Sequence, residues 1–261
     1  MDNKPLVTLD PWRALRRHTP ARIGLGRAGG SLPTRELLAF GSAHAQARDA
    51  VHLPLDVGSL AGRIEALGLA TLAVRSAAPD RAHYLLRPDL GRRLDRDSAA
   101  ALDAEPASAC DLLLVVADGL SAAAIERQAV PLLEQVLAQC PEGWQLGPVV
   151  IATQARVALG DEIGQRLQAP LVAMLIGERP GLSSPDSLGL YLTHAPRVGR
   201  SDAERNCISN VRPEGLGYAD AARKLWWLVL AARRLQLSGV GLKDHSEAAG
   251  SIGFDTSLPS G

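Results

Sequence analysis

Three continuous apolar runs, Leu112–Ala117, Val149–Thr153 and Leu171–Ile176, constrain this chain more than any other feature. None alternates with polar residues, so each reads as a strand covered on both faces. Helical patterns separate them, and a strand-then-helix rhythm is that of a parallel sheet with crossover helices. After the first run, Asp118-Gly119-Leu120 leads to Ser121, placed to cap a helix over Ala122–Leu137 with a bend expected at Pro131. The second run passes through Gln154-Ala155-Arg156 into a helix over Ala158–Leu167. Further strands are expected near Leu190–Thr193 and Cys207–Val211. A closing helix, Tyr218–Leu235, is amphipathic. It sets Leu225, Leu228 or Val229, Ala232 and Leu235 on one stripe and Arg223, Lys224, Arg233 and Arg234 on another.

Upstream the texture differs. Residues 11 to about 95 read as helices punctuated by Pro and Gly, over Trp12–Arg17, Thr34–Val51 and Leu60–Leu67. The Ala/Asp/Ser-rich stretch Ser98–Ala109 reads as a boundary. The expected fold is therefore α/β, a parallel-sheet, Rossmann-like domain over 105–244, preceded by a smaller mainly helical segment over 1–104. The Ser/Gly-rich stretch 245–261 reads as a flexible tail.

Lys plus Arg and Asp plus Glu both number 28, so bulk charge points to neither nucleic acid nor an anionic membrane. Charge is uneven locally. Arg13, Arg16, Arg17, Arg22 and Arg27 lie in a stretch without an acid, which suits either an acidic partner or a solvated face. Cys110, Cys140 and Cys207 show no CxxC spacing, which argues against a disulfide framework or zinc site and fits a reducing cytosol. The N-terminus lacks an apolar signal region and no apolar run is long enough to span a membrane, so a soluble, cytoplasmic protein is expected.

In open α/β sheets, ligands bind beyond the carboxyl ends of the strands. The loops Asp118–Ser121, Gln154–Val157 and Gly177–Ser187, with the segment Asn206–Asn210, are expected to converge on that rim. The longest, within LIGERPGLSSPDSLG, offers backbone groups and short hydroxyls, and Glu178 at its start can accept hydrogen bonds from several donors. Gly24-Leu25-Gly26-Arg27-Ala28-Gly29 matches GxGxxG, but no strand precedes it and no helix opens at its third glycine. It reads as a connector that lets the chain pass close to another surface. The six histidines form no ligand array, and no His/Asp arrangement accompanies Cys207, which reads as a small residue lining a pocket.

Several long, irregular strings occur in order: TPARIGLGRAGGSLPT, AHAQARDAVHLPLD, YLLRPDLGRRL, VVADGLSA, ARVALGDEIG, LIGERPGLSSPDSLGLYLTHAP, DAERNCISNVRPEGL and SGVGLKD. Together they resemble the light chain of ethanolamine ammonia-lyase, from about Trp12 to Asp244. The resemblance implies an adenosylcobalamin-dependent radical lyase of two chains, converting ethanolamine to acetaldehyde and ammonia. A heavy chain with a (β/α)₈ barrel would bind ethanolamine and hold the catalytic side chains, with none on this chain. The corrin would lie between the two chains, and this chain would contact it through Val157, Glu178 and Cys207. Arg156, Ser183, Ser184 and Asn206 are secondary candidates for that contact. No DxHxxG string occurs, so the cofactor is expected to keep its own dimethylbenzimidazole on cobalt, and no other metal site is expected. Whether a bacterial microcompartment encloses the enzyme is left open by the sequence. Two other readings remain at this point, a noncatalytic assembly subunit and a nucleotide-dependent oxidoreductase subunit.

Overall fold

The structure, a computed structural model, describes residues 6–106 and 109–246. An N-terminal arm with a 3₁₀ turn over Pro11–Arg17 leads to α1 (Thr34–His52) and α2 (Val57–Glu65). There follow β1 (Thr71–Arg75), α3 (Arg81–Leu86), α4 (Arg96–Ala104), β2 (Leu113–Ala117) and α5 (Ala122–Ala138). The remainder comprises β3 (Val149–Thr153), α6 (Leu159–Arg166), β4 (Leu171–Gly177), β5 (Leu188–His194), β6 (Arg205–Val211) and α7 (Tyr218–Leu235).

The six strands form one sheet in the order β1-β3-β2-β4-β5-β6. β1, β3, β2 and β4 are parallel, with registers such as Val115 opposite Val150 and Leu114 opposite Ala173. Each residue of β2 and β4 is buried, as their unbroken apolar character requires. The expectation of an all-parallel sheet is corrected at the other edge, where β5 pairs antiparallel with β4 and β6 antiparallel with β5. A parallel return needs a crossover of about a dozen residues or more. The links 178–187 and 195–204 are shorter than that, so the chain turns back directly.

The upstream half also departs from the helical reading, because β1 lies within it and pairs with β3. Gly68, at φ 83°, ends the turn after α2 and lets the chain extend. The stretch Ser98–Ala109, read as a boundary, is helical through Ala104 as part of α4. Trp12–Arg17 is a 3₁₀ turn capped by Asp10, whose side chain accepts from the Trp12 N–H at 2.8 Å.

Two apolar layers flank the sheet. On one face α2, α5 and α7 bring Leu60, Ile64, Ile125, Leu133, Leu225 and Trp226 onto the sheet. Trp226 is fully buried, donates from Nε1 to the Val136 carbonyl at 2.8 Å and meets Trp144 edge-on at 5.5 Å. Removing such a ring costs about 3–5 kcal/mol. Leu235, expected on the apolar stripe of α7, is instead exposed at the last turn. On the other face α4 and α6 bring Leu102, Leu159 and Ile163 against Val115, Val172 and Met174. α6 sits close to β4 because Gly160 and Gly164 face Val172, where a methyl on Gly164 would come within 2.5 Å of its side chain. This spacing explains the GDEIG string.

The GxGxxG string is a connector, as its context requires. Thr8 and Arg27 exchange backbone hydrogen bonds at 2.8 and 3.0 Å, and Gly24 and Gly26, both at positive φ, lie against the backbone of Arg13 and Thr8. Of the expected tail, His245 and Ser246 are described and pack on α7, with His245 edge-on to Trp227 at 6.0 Å; residues 247–261 lie outside the described residues. Among the described residues no helix is long and apolar enough to cross a membrane.

Candidate functional site

The carboxyl ends of β2, β3 and β4 meet at one rim, and a buried acid organises it. Asp118 follows β2, is 4% exposed, and accepts from the Ala155 N–H at 3.2 Å and from Arg81 Nη1 at 3.3 Å. Its carboxylate also takes the Gln154 N–H. Burial pushes its pKa up, opposed by those donors and by the Arg81 charge. Arg81 is anchored through Nε to the Val51 carbonyl at 2.6 Å. The guanidinium groups of Arg81 and Arg156 both lie over the ring of Tyr84, at 4.7 and 4.3 Å from its centroid. The Tyr84 hydroxyl donates to the Ala155 carbonyl at 3.0 Å, and burial pushes its pKa up to about 12. The turn leaving β3 is thus gripped from the side of β2 and from α3.

A second close approach joins β2 to β4. The Leu120 N–H donates to the Gly177 carbonyl at 2.9 Å, with Gly119 at φ 54°. A methyl on Gly177 would collide with the carbonyl oxygens of Ser121 and Asp118. Ser121 caps α5 by accepting from the Ala124 N–H at 3.2 Å, as its position in the sequence suggests. Its hydroxyl also donates to the Pro185 carbonyl at 3.0 Å, tying the long loop to the rim.

Beyond β4, Glu178 reaches across to β6. Both its carboxylate oxygens lie 3.2 Å from the Asn210 N–H. That N–H is available because β6 bulges there: Leu188 pairs with Val211 while Leu190 pairs with Ile208, and Asn210 takes φ 59°. A side chain on Gly189 would meet Glu178 and the Tyr191 ring at 3.2–3.3 Å, so glycine there lets the Glu178 side chain lie against the sheet beside Tyr191. Tyr191 stands directly opposite Cys207, and their side chains hydrogen-bond. Val157 and Tyr191 both lie at the margin of the α6-side core. Cys207 is exposed on its strand, yet loss of water around the thiol, with Glu178 nearby, pushes its pKa up. Glu178, Tyr191 and Cys207 thus form one patch on the sheet, with Val157 at the end of the adjoining loop.

The secondary candidates divide. Arg156 belongs to the rim: its N–H donates to the Gly91 carbonyl at 2.8 Å and its Nη2 to the Tyr84 carbonyl at 3.2 Å. Ser183 is exposed and its carbonyl accepts from Arg212 at 3.3 Å, while the Ser184 hydroxyl is buried. Both ride on a loop held by Arg22 at Leu182 and by Arg127 at Asp186. Asn206, expected on a rim loop, lies within β6. Its carboxamide donates to the Gly239 and Leu242 carbonyls at 3.2 and 2.8 Å and accepts from the Gly239 N–H at 2.7 Å, so it holds the turn after α7.

Among the described residues, the buried side-chain polar atoms without a partner are Arg81 Nη2, Gln154 Oε1, Arg156 Nε and Ser184 Oγ. All four belong to the rim. Such atoms normally find a partner in the protein or in water, and leaving one unmade costs roughly 1–3 kcal/mol. These four are confined to one edge of the sheet. No three His, Cys, Asp or Glu side chains among the described residues converge as metal ligands.

Sequence reasoning missed three parts of this site. Arg81 and Tyr84 arrive from α3, far upstream, with no local pattern to announce them. Tyr191 could have been found from strand alternation with Gly189. The third is the pair Asp161–Arg205, each side chain 2% exposed, with contacts of 2.5 and 2.7 Å. It bolts α6, in the ARVALGDEIG string, to β6, in the RNCISN string.

Comparison with known proteins adds to this geometry. The family described as "Ethanolamine ammonia-lyase light chain (EutC)" matches residues 9–243. Among individual relatives, a protein of Ralstonia nicotianae named "Ethanolamine ammonia-lyase small subunit" is 60% identical over 253 residues, covering 94% of this chain and 93% of the relative. Proteins of the same name from Azotobacter vinelandii (58% identity, 95% and 94% covered) and Xanthomonas campestris pv. campestris (56% identity, 95% and 92% covered) are similar over nearly the whole length.

Proposed function

This chain belongs to the ethanolamine ammonia-lyase light-chain family, and from that premise we propose that it is the cofactor-bearing small subunit of a two-chain, adenosylcobalamin-dependent lyase. In this reading a heavy chain binds ethanolamine and carries the catalytic side chains, and the cofactor lies between the two subunits. Val157, Glu178 and Cys207 are the principal contacts on this side, with Arg156, Ser183 and Ser184 nearby.

The observation that carries the reading is the confinement of unpartnered buried polar atoms to the carboxyl rim, beside an uncovered patch of sheet. Adenosylcobalamin presents a broad corrin fringed with primary amides, each both donor and acceptor. A rim with two guanidinium donors, an amide acceptor and a hydroxyl suits such a fringe, and the exposed thiol-bearing stretch of β6 at Cys207 adjoins it. The residues present therefore fit the group. When bound, the cofactor supplies the radical that makes the unactivated carbinol carbon of ethanolamine reactive.

This chain's own part is to bind, orient and seal. Glu178 is already held by Asn210, so it offers its remaining acceptor capacity from a fixed position. The grip of Asp118 on the β3 exit fixes Val157 relative to the sheet, and the Asp161–Arg205 pair fixes β6 relative to α6. Rigid contacts of this kind allow binding energy to be realised at the reacting centre rather than in ordering loops. The apolar, exposed side chains of the arm and α1, among them Trp12, Leu37 and Leu38, together with Arg13, Arg16 and Arg17, favour this end of the chain as heavy-chain contact surface.

Co-expression with a heavy chain tests the proposal. The two-chain complex should bind adenosylcobalamin and release acetaldehyde from ethanolamine, whereas the heavy chain alone should bind cofactor far more weakly. Equal cofactor affinity with and without this chain would contradict the reading and leave it an assembly subunit.

A further inference from the structure

Gln154 stands out on two independent counts. It is the first residue after β3 and takes φ 54°, a left-handed conformation that costs a residue with a long side chain of order 1 kcal/mol. The other non-glycine residues in that region among the described residues have local reasons. Gln168 and Gln236 close α6 and α7, Asn210 is a tolerant residue type at a bulge, and Ala195 turns the chain after β5. Gln154 closes no helix and is of no tolerant type. It is held there by the buried Asp118 carboxylate, which takes its N–H and that of Ala155, and by the Arg156 N–H bound to the Gly91 carbonyl.

The second count is chemical. The Gln154 carboxamide makes no hydrogen bond within the described chain, and its oxygen is sealed from water. A solvent-facing glutamine would have both ends of its amide satisfied by water, and a structural one by a neighbour; in this half-buried residue the oxygen has neither. The unpaired Nε of Arg156 lies two residues on, so an acceptor and a donor without partners flank one short turn. Strain held in place by a buried acid, beside an unsatisfied amide, is the arrangement expected where a ligand completes the site.

We infer that Gln154 is a further cofactor contact, pairing its carboxamide with one of the primary amides at the edge of the corrin. This rests on the proposed cofactor role of the chain and adds a residue to it. An amide pairs with an amide through one donor and one acceptor each, which uses both ends of a group that the protein leaves free. The torsion that turns the Gln154 carboxamide is broad and two-fold, so the sealed oxygen can be presented without moving the backbone.

The test uses the co-expressed two-chain complex and cyanocobalamin as the probe, titrated by its absorbance change, so that binding is read without turnover. Gln154→Gly removes the strain and the amide together, and the complex should melt higher while binding cyanocobalamin about tenfold more weakly, the weight of one hydrogen bond of about 1.4 kcal/mol. Gln154→Ala should weaken binding to a similar extent while melting lower than Gln154→Gly. A residue with a purely structural role would not give opposite signs for stability and affinity in the glycine variant. Wild-type affinity in both variants would overturn the inference while leaving the cofactor role intact, with a buried water then satisfying the amide. A wild-type complex that fails to bind cyanocobalamin would overturn the parent proposal and this one with it.

Discussion

Replacing Arg205 with methionine isolates what the buried pair contributes. Both members are 2% exposed, and Arg205 donates to both oxygens of Asp161, with Thr193 Oγ1 at 3.2 Å and the Arg200 carbonyl at 2.9 Å completing the fork. Arg205→Met leaves Asp161 as a buried, unpaired carboxylate, and breaking such a pair costs about 3–5 kcal/mol. With a urea slope of about 2 kcal/mol/M, the midpoint should fall by about 2 M. Asp161 already has its pKa raised by burial, with Arg205 working in the opposite direction. Without Arg205 the rise grows, so the native state binds more protons than the unfolded state and stability falls as pH increases. The deficit of Arg205→Met should therefore shrink on acidification, as Asp161 becomes neutral. Combining Asp161→Leu with Arg205→Met should recover most of the loss, because no charge remains buried. Denaturation followed by tryptophan fluorescence at several pH values measures all three. A loss under about 1 kcal/mol, or a deficit that widens at low pH, would refute the reasoning.

Three other outcomes follow from the same geometry. Glu178→Ala should weaken cobalamin binding by the two-chain complex about tenfold or more while subunit association stays intact, as read by titration and size-exclusion chromatography. Gly177→Ala should abolish soluble folding, because its methyl has no space between Ser121 and Asp118, and the folded yield reports this. Alkylation of Cys207 should be slow at neutral pH and accelerate as pH rises, since its raised pKa keeps the thiolate scarce; bound cobalamin should protect it, and mass spectrometry of the labelled peptide measures both.

The sheet core was legible because β2, β3 and β4 are apolar on both faces, a pattern that arises when helices cover both sides. β1 was not, because Thr71–Arg75 is short, largely uncovered and follows directly on the helical spacing of Leu60, Ile64 and Leu67. The signal that could have revealed it is Gly68 followed by the β-branched residues Thr71 and Val74. The reversal at β5 left no mark in composition, since LGLYLTH is as apolar as a parallel strand; only the short link before it carried the information. The rim loops followed from strand ends alone, whereas their organisation depends on Arg81 and Tyr84, which no local pattern connects to Asp118. Asn206 and Cys207 show the limit of reading a segment as a unit. Neighbouring strand residues face opposite sides of the sheet, so one serves the turn after α7 while the other stands beside Tyr191.

A cryo-electron microscopy map of the two-chain complex with bound cobalamin tests the central claim most directly. Corrin density should lie against the carboxyl rim of this chain, in contact with Val157, Glu178 and Cys207, and with the heavy chain on its other side. Corrin density enclosed by the heavy chain alone, with the rim filled by side chains of either subunit, would contradict the account.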